Sequence, residues 1–195
     1  MNKEQRMRLT SLVAAISVVL SVPALADDDV FRWSAQSDAL TLDPHALAEG
    51  PTVTVIAQIY EPLVDRDADL ALQPGLATAW EPIDETTWQF TLREGVSFHD
   101  GAAFTAEDAV FSLQRAMSDT SNFRQRLKGV TGVEAVDPQT VRITTDRPAP
   151  LLPNNLATIY MMDSGWAAAN NSEHPQDYGA GEEMATVRQA NGTGP

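Results

Sequence analysis

Cysteine is missing from this 195-residue chain and histidine nearly so, with three. Without a thiol there is no disulfide, no thiolate nucleophile and no thiolate metal site. His45, His99 and His174 lie far apart and form no His-x-x-x-His pair, so a helical zinc motif is missing too. There is no Gly-x-Ser-x-Gly elbow and no P-loop. Gly179-Ala180-Gly181 and Gly192-Thr193-Gly194 lack the third glycine of a dinucleotide fingerprint. His99 beside Asp100 offers a base with a carboxylate to orient it, although a histidine in such a turn more often serves structure. These gaps argue against a hydrolase, and neither a cofactor nor a metal is expected.

Positive charge is also scarce. Thirteen basic residues face 27 acidic ones, a net charge of −14, which repels nucleic acid and anionic membrane. Only the N-terminus is strongly apolar. Residues 9–22 are apolar apart from Thr10, Ser11, Ser17 and Ser21, which is short of the roughly 20 residues a bilayer requires. Lys3, Arg6 and Arg8 precede that run, and Ala24-Leu25-Ala26 closes it with the small-residue pattern of a signal-peptide cleavage site. Cleavage after Ala26 removes three basic residues and one acidic residue, leaving a mature net charge of −16. No cysteine stands near the cut to carry a lipid. The expectation is a soluble exported protein, periplasmic in a host with two membranes.

The richest stretch is 80–117. Trp88, Phe90 and Leu92 alternate with Gln89, Thr91 and Arg93, the period of a half-buried strand. Asp84-Glu85-Thr86 is a turn composition, so residues 80–83 are expected as the hairpin partner, at an edge because Pro82 has no amide donor. Gly95 and Gly101 punctuate the far side. Thr105 with Asp108 three residues on is a capping-box variant. Ala109, Val110, Leu113, Ala116 and Met117 then make one apolar helical stripe.

Elsewhere, residues 30–35 alternate as a first strand. Residues 52–63 place Val53, Ile56, Ala57, Tyr60 and Leu63 on one helical face. Residues 65–69 form an acidic loop, read as solvated surface with one Ca²⁺ site as the alternative. Residues 133–136 and 141–145 flank Asp137-Pro138-Gln139-Thr140 as a second hairpin. A helical turn is expected at 123–127, a proline-initiated helix after 147–153, a short strand at 158–162, a short helix at 166–170 and loop over 171–183.

The order of motifs is more specific than any one of them. Gly75-Leu-Ala-Thr-Ala-Trp80, Thr87-Trp-Gln-Phe-Thr-Leu-Arg-Glu-Gly95, Val96-Ser-Phe-His-Asp-Gly101, Phe104-Thr-Ala-Glu-Asp108 and Val110-Phe-Ser-Leu-Gln-Arg115 follow one another. The chain thereby resembles the family 5 extracellular solute-binding proteins, which serve ATP-binding cassette importers of peptides and nickel. Leu42-Asp43-Pro44-His45, Tyr60-Glu61-Pro62-Leu63 and the terminal Asn191-Gly192-Thr193-Gly194-Pro195 extend the likeness, although the family often has glycine at the place of Pro62.

The resemblance implies an α/β fold of the periplasmic binding protein class II type, peptide-binding cluster, with mixed sheets and an incomplete two-lobed architecture. It implies a signal peptide over 1–26, the start of a first lobe over 27–60, an additional α/β subdomain over 61–182, and a return toward the first lobe over 183–195, where truncation of a longer reading frame is expected. It also implies that the Leu-Asp-Pro-His run stands at the entrance to the ligand cleft. By the resemblance Ala48, Glu49 and Gly50 line the cleft and pair with a bound peptide through their main chain, a mode that accepts varied side chains. A loop that caps the next helix is the plain alternative. The implied protein is a monomer, not an enzyme, with a small peptide or other small solute and the permease subunits as partners. Nickel chelates, haem, glutathione and sugars are the alternative solutes, and a fragment that binds nothing is the alternative for the chain as it stands.

Overall fold

The described residues are built on two antiparallel hairpins that share one sheet. In the computed structural model, Ser34 and residues 37–195 are described. The signal peptide over 1–26, with Ala24 and Ala26 at its exit, lies outside the described residues, as does the strand at 30–35 but for Ser34. Strands β3 (Ala77–Pro82), β4 (Thr87–Leu92), β5 (Val130–Asp137) and β6 (Thr140–Thr145) form one sheet in the order β3-β4-β6-β5. Short strands β1 (Val64–Arg66) and β2 (Leu72–Pro74) form a separate pair. The helices are α1 (Gly50–Ile59), α2 (Ala106–Ala116), α3 (Leu152–Leu156) and α4 (Ser164–Ala169), with 3₁₀ turns at Arg124–Leu127 and Ala185–Val187.

The alternation in β4 sets the face of the sheet. Phe90 and Leu92 are buried, Trp88 is half-buried and Thr91 is exposed. Register then lays two rows across four strands. Trp80 pairs with Phe90, Phe90 with Val141 and Val141 with Ala135; Pro82, Trp88, Ile143 and Val133 form the second row. Such cross-strand neighbours are the unit of sheet stabilisation. Pro82 lies in edge strand β3, where its missing donor costs no ladder bond. The pairing is antiparallel throughout. The α/β class therefore stands, while the mixed pairing expected for the whole architecture does not occur among the described residues. Its cause is local: β3–β4 and β5–β6 are joined by tight turns, and a parallel pair would require a long crossover.

Helix α2 covers this face. Its start is fixed by Asp108, whose carboxylate accepts from the Thr105 N–H at 2.9 Å and from the Thr105 hydroxyl at 3.0 Å. The other oxygen of Asp108 accepts from Ser164 at the start of α4, so one carboxylate ties two helices together. Ala109, Leu113 and Ala116 join Phe90, Val141 and Ile143 in the main core. Burial of each large apolar side chain there stabilises by about 1.5–3 kcal/mol. A smaller core gathers Ile56, Tyr60, Tyr160, Met162 and Ala167 beside α1.

Strands β3 and β5 each begin three residues earlier than expected, at Ala77 and Val130. Three further differences from the sequence expectation have a visible cause. Helix α1 ends at Ile59 instead of near Leu63, because Tyr60 turns extended (φ −119°, ψ 152°) ahead of Pro62, which disfavours helical backbone before it. Ala57 is consequently exposed, and Thr52 is buried in its place, its hydroxyl accepting from the Leu40 N–H at 3.1 Å. Over 158–162 there is no strand but a single antiparallel bridge, Tyr160 to Pro62, with the Met161 N–H bonded to the Glu61 carbonyl at 2.9 Å. Helix α4 begins at Ser164, two residues early, because Asp163 caps it by accepting from the Trp166 N–H at 2.9 Å.

The terminal segment packs directly on the end of α1. A Cβ at Gly192 would lie 2.0 Å from the Ile59 carbonyl oxygen, whereas a Cβ at Gly50 would meet nothing within 4 Å. G192A is expected to lose about 2–3 kcal/mol of unfolding free energy, and G50A to lose none or to gain about 0.5 kcal/mol. Urea denaturation of the two variants beside the parent protein checks both.

Candidate functional site

The segment leading into α1 starts from a buried turn. Asp43 and His45 are fully buried, and so is Arg115, which projects from α2. Arg115 donates to both carboxylate oxygens of Asp43, at 2.8 and 2.6 Å, and to His45 Nδ1 at 3.0 Å. Its remaining donors reach the carbonyls of Ser172 and His174. Asp43 also accepts from the His45 and Gln176 amides and from the Thr186 hydroxyl. His45 Nε2 lies 3.0 Å from the Tyr160 carbonyl. A carbonyl can only accept and a guanidinium can only donate, so these partners assign the neutral Nε2–H tautomer.

Electrostatics agree with that assignment. Burial alone would raise the Asp43 carboxyl, but the hydrogen bonds and charge of Arg115 overcome it and hold it at about 2, below its ordinary 3.8. Burial, and then the charge of Arg115, push His45 down from 6.5 to about 3. The turn thus carries a carboxylate and a neutral imidazole across the physiological range.

This base holds the next few residues of the chain. The Asn122 side chain donates to the Ala46 carbonyl, while its N–H and the Ser121 hydroxyl donate to the His45 carbonyl at 3.1 and 3.3 Å. Ala48 and Gly50 are exposed and Glu49 is half-buried. Glu49 is the N-cap of α1, its carboxylate accepting from the Thr52 N–H at 2.8 Å. The helix-capping role set beside the cleft reading is therefore real for Glu49. The N–H groups of Ala48, Glu49 and Gly50, and the Ala48 carbonyl, bond to no other described residue. The arrangement is a short exposed run of main-chain donors and acceptors on a rigid base. Of the Leu-Asp-Pro-His run expected at the cleft entrance, Leu42 is half-buried and Asp43, Pro44 and His45 are buried, and these three serve as that base.

The other candidates resolve into structural parts. His99 Nε2 contacts the Gly194 carbonyl at 2.8 Å, the Gly192 N–H reaches His99 Nδ1 at 3.4 Å, and the His99 N–H donates to the Gly192 carbonyl at 3.0 Å. Asp100 does not orient that ring; its carboxylate accepts from the Ala102 N–H. In the acidic loop, Asp67 accepts from the Asp69 and Ala71 amides, both at 2.9 Å, so it closes the β1–β2 turn. Among the described residues no three histidines and carboxylates gather as a metal site. Sequence reasoning read α2 as an apolar stripe and missed Arg115. The signal was its position: Ser112 and Arg115 fall on the same helical face as Ala109 and Ala116, where a polar pair calls for buried partners.

The same architecture recurs in solved structures of class II periplasmic binding proteins. The mannopinic-acid complex of the binding protein MoaA from A. tumefaciens R10 superposes with a TM-score of 0.69 at 30% identity, over 81% of this chain and 32% of that one. Residues 71–195 match the profile of the bacterial extracellular solute-binding proteins, family 5 Middle, and the chain belongs to that family. It is 34% identical over 173 residues to the probable deoxycholate-binding periplasmic protein YgiS of Escherichia coli K12, covering 76% of this chain and 32% of that protein. It is 31% identical over 165 residues to the periplasmic oligopeptide-binding protein OppA of Salmonella typhimurium LT2, covering 73% and 30%. The chain thus spans about a third of the length of the curated relatives it matches.

The buried cluster leads to two expected outcomes. Arg115→Met leaves Asp43 buried without its counter-charge and is expected to cost about 3–5 kcal/mol, read by denaturant unfolding at neutral pH. The pH dependence has a definite sign. His45 is protonated in the unfolded chain below about 6.5 but in the fold only near 3, so its contribution is complete above 6.5 and is lost as pH falls toward 3. Asp43 adds a loss as pH falls from about 3.8 to about 2. Unfolding free energy measured from pH 7.5 to 3.5 should fall on acidification, and less steeply above pH 4 in His45→Gln.

Proposed function

We propose that this chain is the solute-capturing part of the substrate-binding component of an ATP-binding cassette importer. The component takes peptides in the periplasm and delivers them to the membrane permease, with ATP hydrolysed in a separate cassette subunit. The observation that carries the reading is the exposed main chain of Ala48, Glu49 and Gly50 on its buried base. Free amide and carbonyl groups recognise an extended peptide as an added strand, whatever its side chains. Support for peptide comes from relatives whose names state oligopeptide or murein-peptide binding, and support for the compartment comes from the same periplasmic names.

In this reading residues 27–60 begin the first lobe, 61–182 form the additional α/β subdomain and 183–195 return toward the first lobe. The component acts as a monomer and binds without chemistry. Lobe closure stabilises the liganded form and presents it to the permease.

Calorimetry against a mixed tripeptide-to-pentapeptide pool, with deoxycholate and glutathione as comparison solutes, tests the class of solute. Binding heat for peptides is expected, and heat only from a comparison solute would overturn the peptide reading. Amide exchange at Ala48, Glu49 and Gly50 is expected to slow at least tenfold on saturation. Unchanged exchange at those three residues despite peptide binding would remove them from the site.

A further inference from the structure

In a chain with 27 acidic residues against 13 basic ones, residues 120–133 contain three bases and no acid. The structure puts those bases on and beside one 3₁₀ turn. Arg124, Arg126 and Lys128 are exposed, while Phe123 just before them and Leu127 among them are buried and anchor the turn to the core. The Arg126 guanidinium rests 5.7 Å over the Phe123 ring. The Gly129 carbonyl accepts from the Asp146 N–H at 2.8 Å, and Asp146 holds Arg147 through two hydrogen bonds of 3.0 and 2.8 Å. A fourth cation is thereby held beside the first three.

Two open depressions of about 330 Å³ each adjoin along this surface and share Lys128 and Gly129. Arg124 lines one of them and Arg147 the other. Arg124 pairs with Asp119 and Arg147 with Asp146, all four at least partly exposed. Arg126 and Lys128 have no ion pair among the described residues.

We propose that this face seats on the anionic head groups of a phospholipid bilayer. Exposed cations on open depressions suit a sheet of phosphates better than a single enclosed anion, because Thr145, the buried polar side chain lining one of them, spends its hydroxyl on the Thr86 and Arg147 carbonyls. The protein's overall negative charge does not forbid it. At physiological salt a charge is screened beyond about 8 Å, so at contact the local cations govern and the acidic remainder orients the approach. This surface shares no residue with the capture segment and does not rest on the solute reading.

The chain has no cysteine, so Gln125→Cys carries a single environment-sensitive dye on the turn, and Gln189→Cys carries it on an exposed site that lines neither depression as control. The full-length protein is titrated with vesicles of phosphatidylcholine alone and with 30% phosphatidylglycerol. The dye at 125 should respond to the anionic vesicles only, and the response should weaken with added salt. Removing two surface cations in R126Q/K128Q should weaken binding about 25-fold, at about fivefold per charge, while R188Q, a cation outside the face, leaves it unchanged. The proposal fails if the dye at 125 does not respond, if R188Q weakens binding as much per charge, or if the dye at 189 responds equally. Displacement by inorganic phosphate at matched ionic strength would mark a free-anion site instead. Equal affinity for polyglutamate would mark an acidic protein partner. Either result overturns bilayer docking.

Discussion

The contact between Asp43 and Arg115 holds three distant parts of the chain in one place. Asp43 belongs to the segment before α1, Arg115 to α2, and the carbonyls that complete the guanidinium belong to Ser172 and His174. Burying two charges is costly, and their attraction repays that cost only where every donor and lone pair is satisfied. Here both carboxylate oxygens and all three guanidinium nitrogens have partners. A pairing of these segments that left any of these groups without its partner would strand a buried charge or donor, which disfavours it.

That constraint explains why the exposed segment can be both short and well positioned. Residues 47–50 have few contacts of their own, and a free loop would lose much of its binding energy to ordering on a ligand. Ala46 is held from one side by Asn122, and Thr52 from the other by Glu49 and Leu40. The five residues between have little freedom left. A rigid main chain with unfilled hydrogen-bonding capacity is the physical requirement for recognition that ignores side chains.

Most of the fold was legible in the sequence, for reasons visible in particular residues. Trp88, Phe90 and Leu92 declared a strand because one face of the sheet is buried and the period of two is strict. Thr105 and Asp108 declared a helix start because the capping groups are local. The early end of α1 depends on Pro62, a local signal that the apolar period outweighed. What escaped otherwise was non-local: the bridge in place of a strand depends on Tyr160 meeting a residue 98 positions earlier. Arg115 could not be assigned a role from its neighbours, because its partners come from before α1 and after α4. Of the site, the resemblance supplied the segment Ala48–Gly50, while the Asp43, His45 and Arg115 base beneath it had only the misplaced polar face of α2 as a signal.

The span of these tethers bears on how the chain acquires its shape. The Thr186 hydroxyl that reaches Asp43 comes 143 residues after it, and Gly194 reaches back to the carbonyl of Ile59. During vectorial synthesis Asp43 must wait for nearly the whole described chain before the last of its hydrogen-bond donors is made. High contact order of this kind slows folding, and it favours a nascent polypeptide that stays loose at least until residues 172–194 have been made. A polypeptide in that condition is suited to being threaded through a narrow pore.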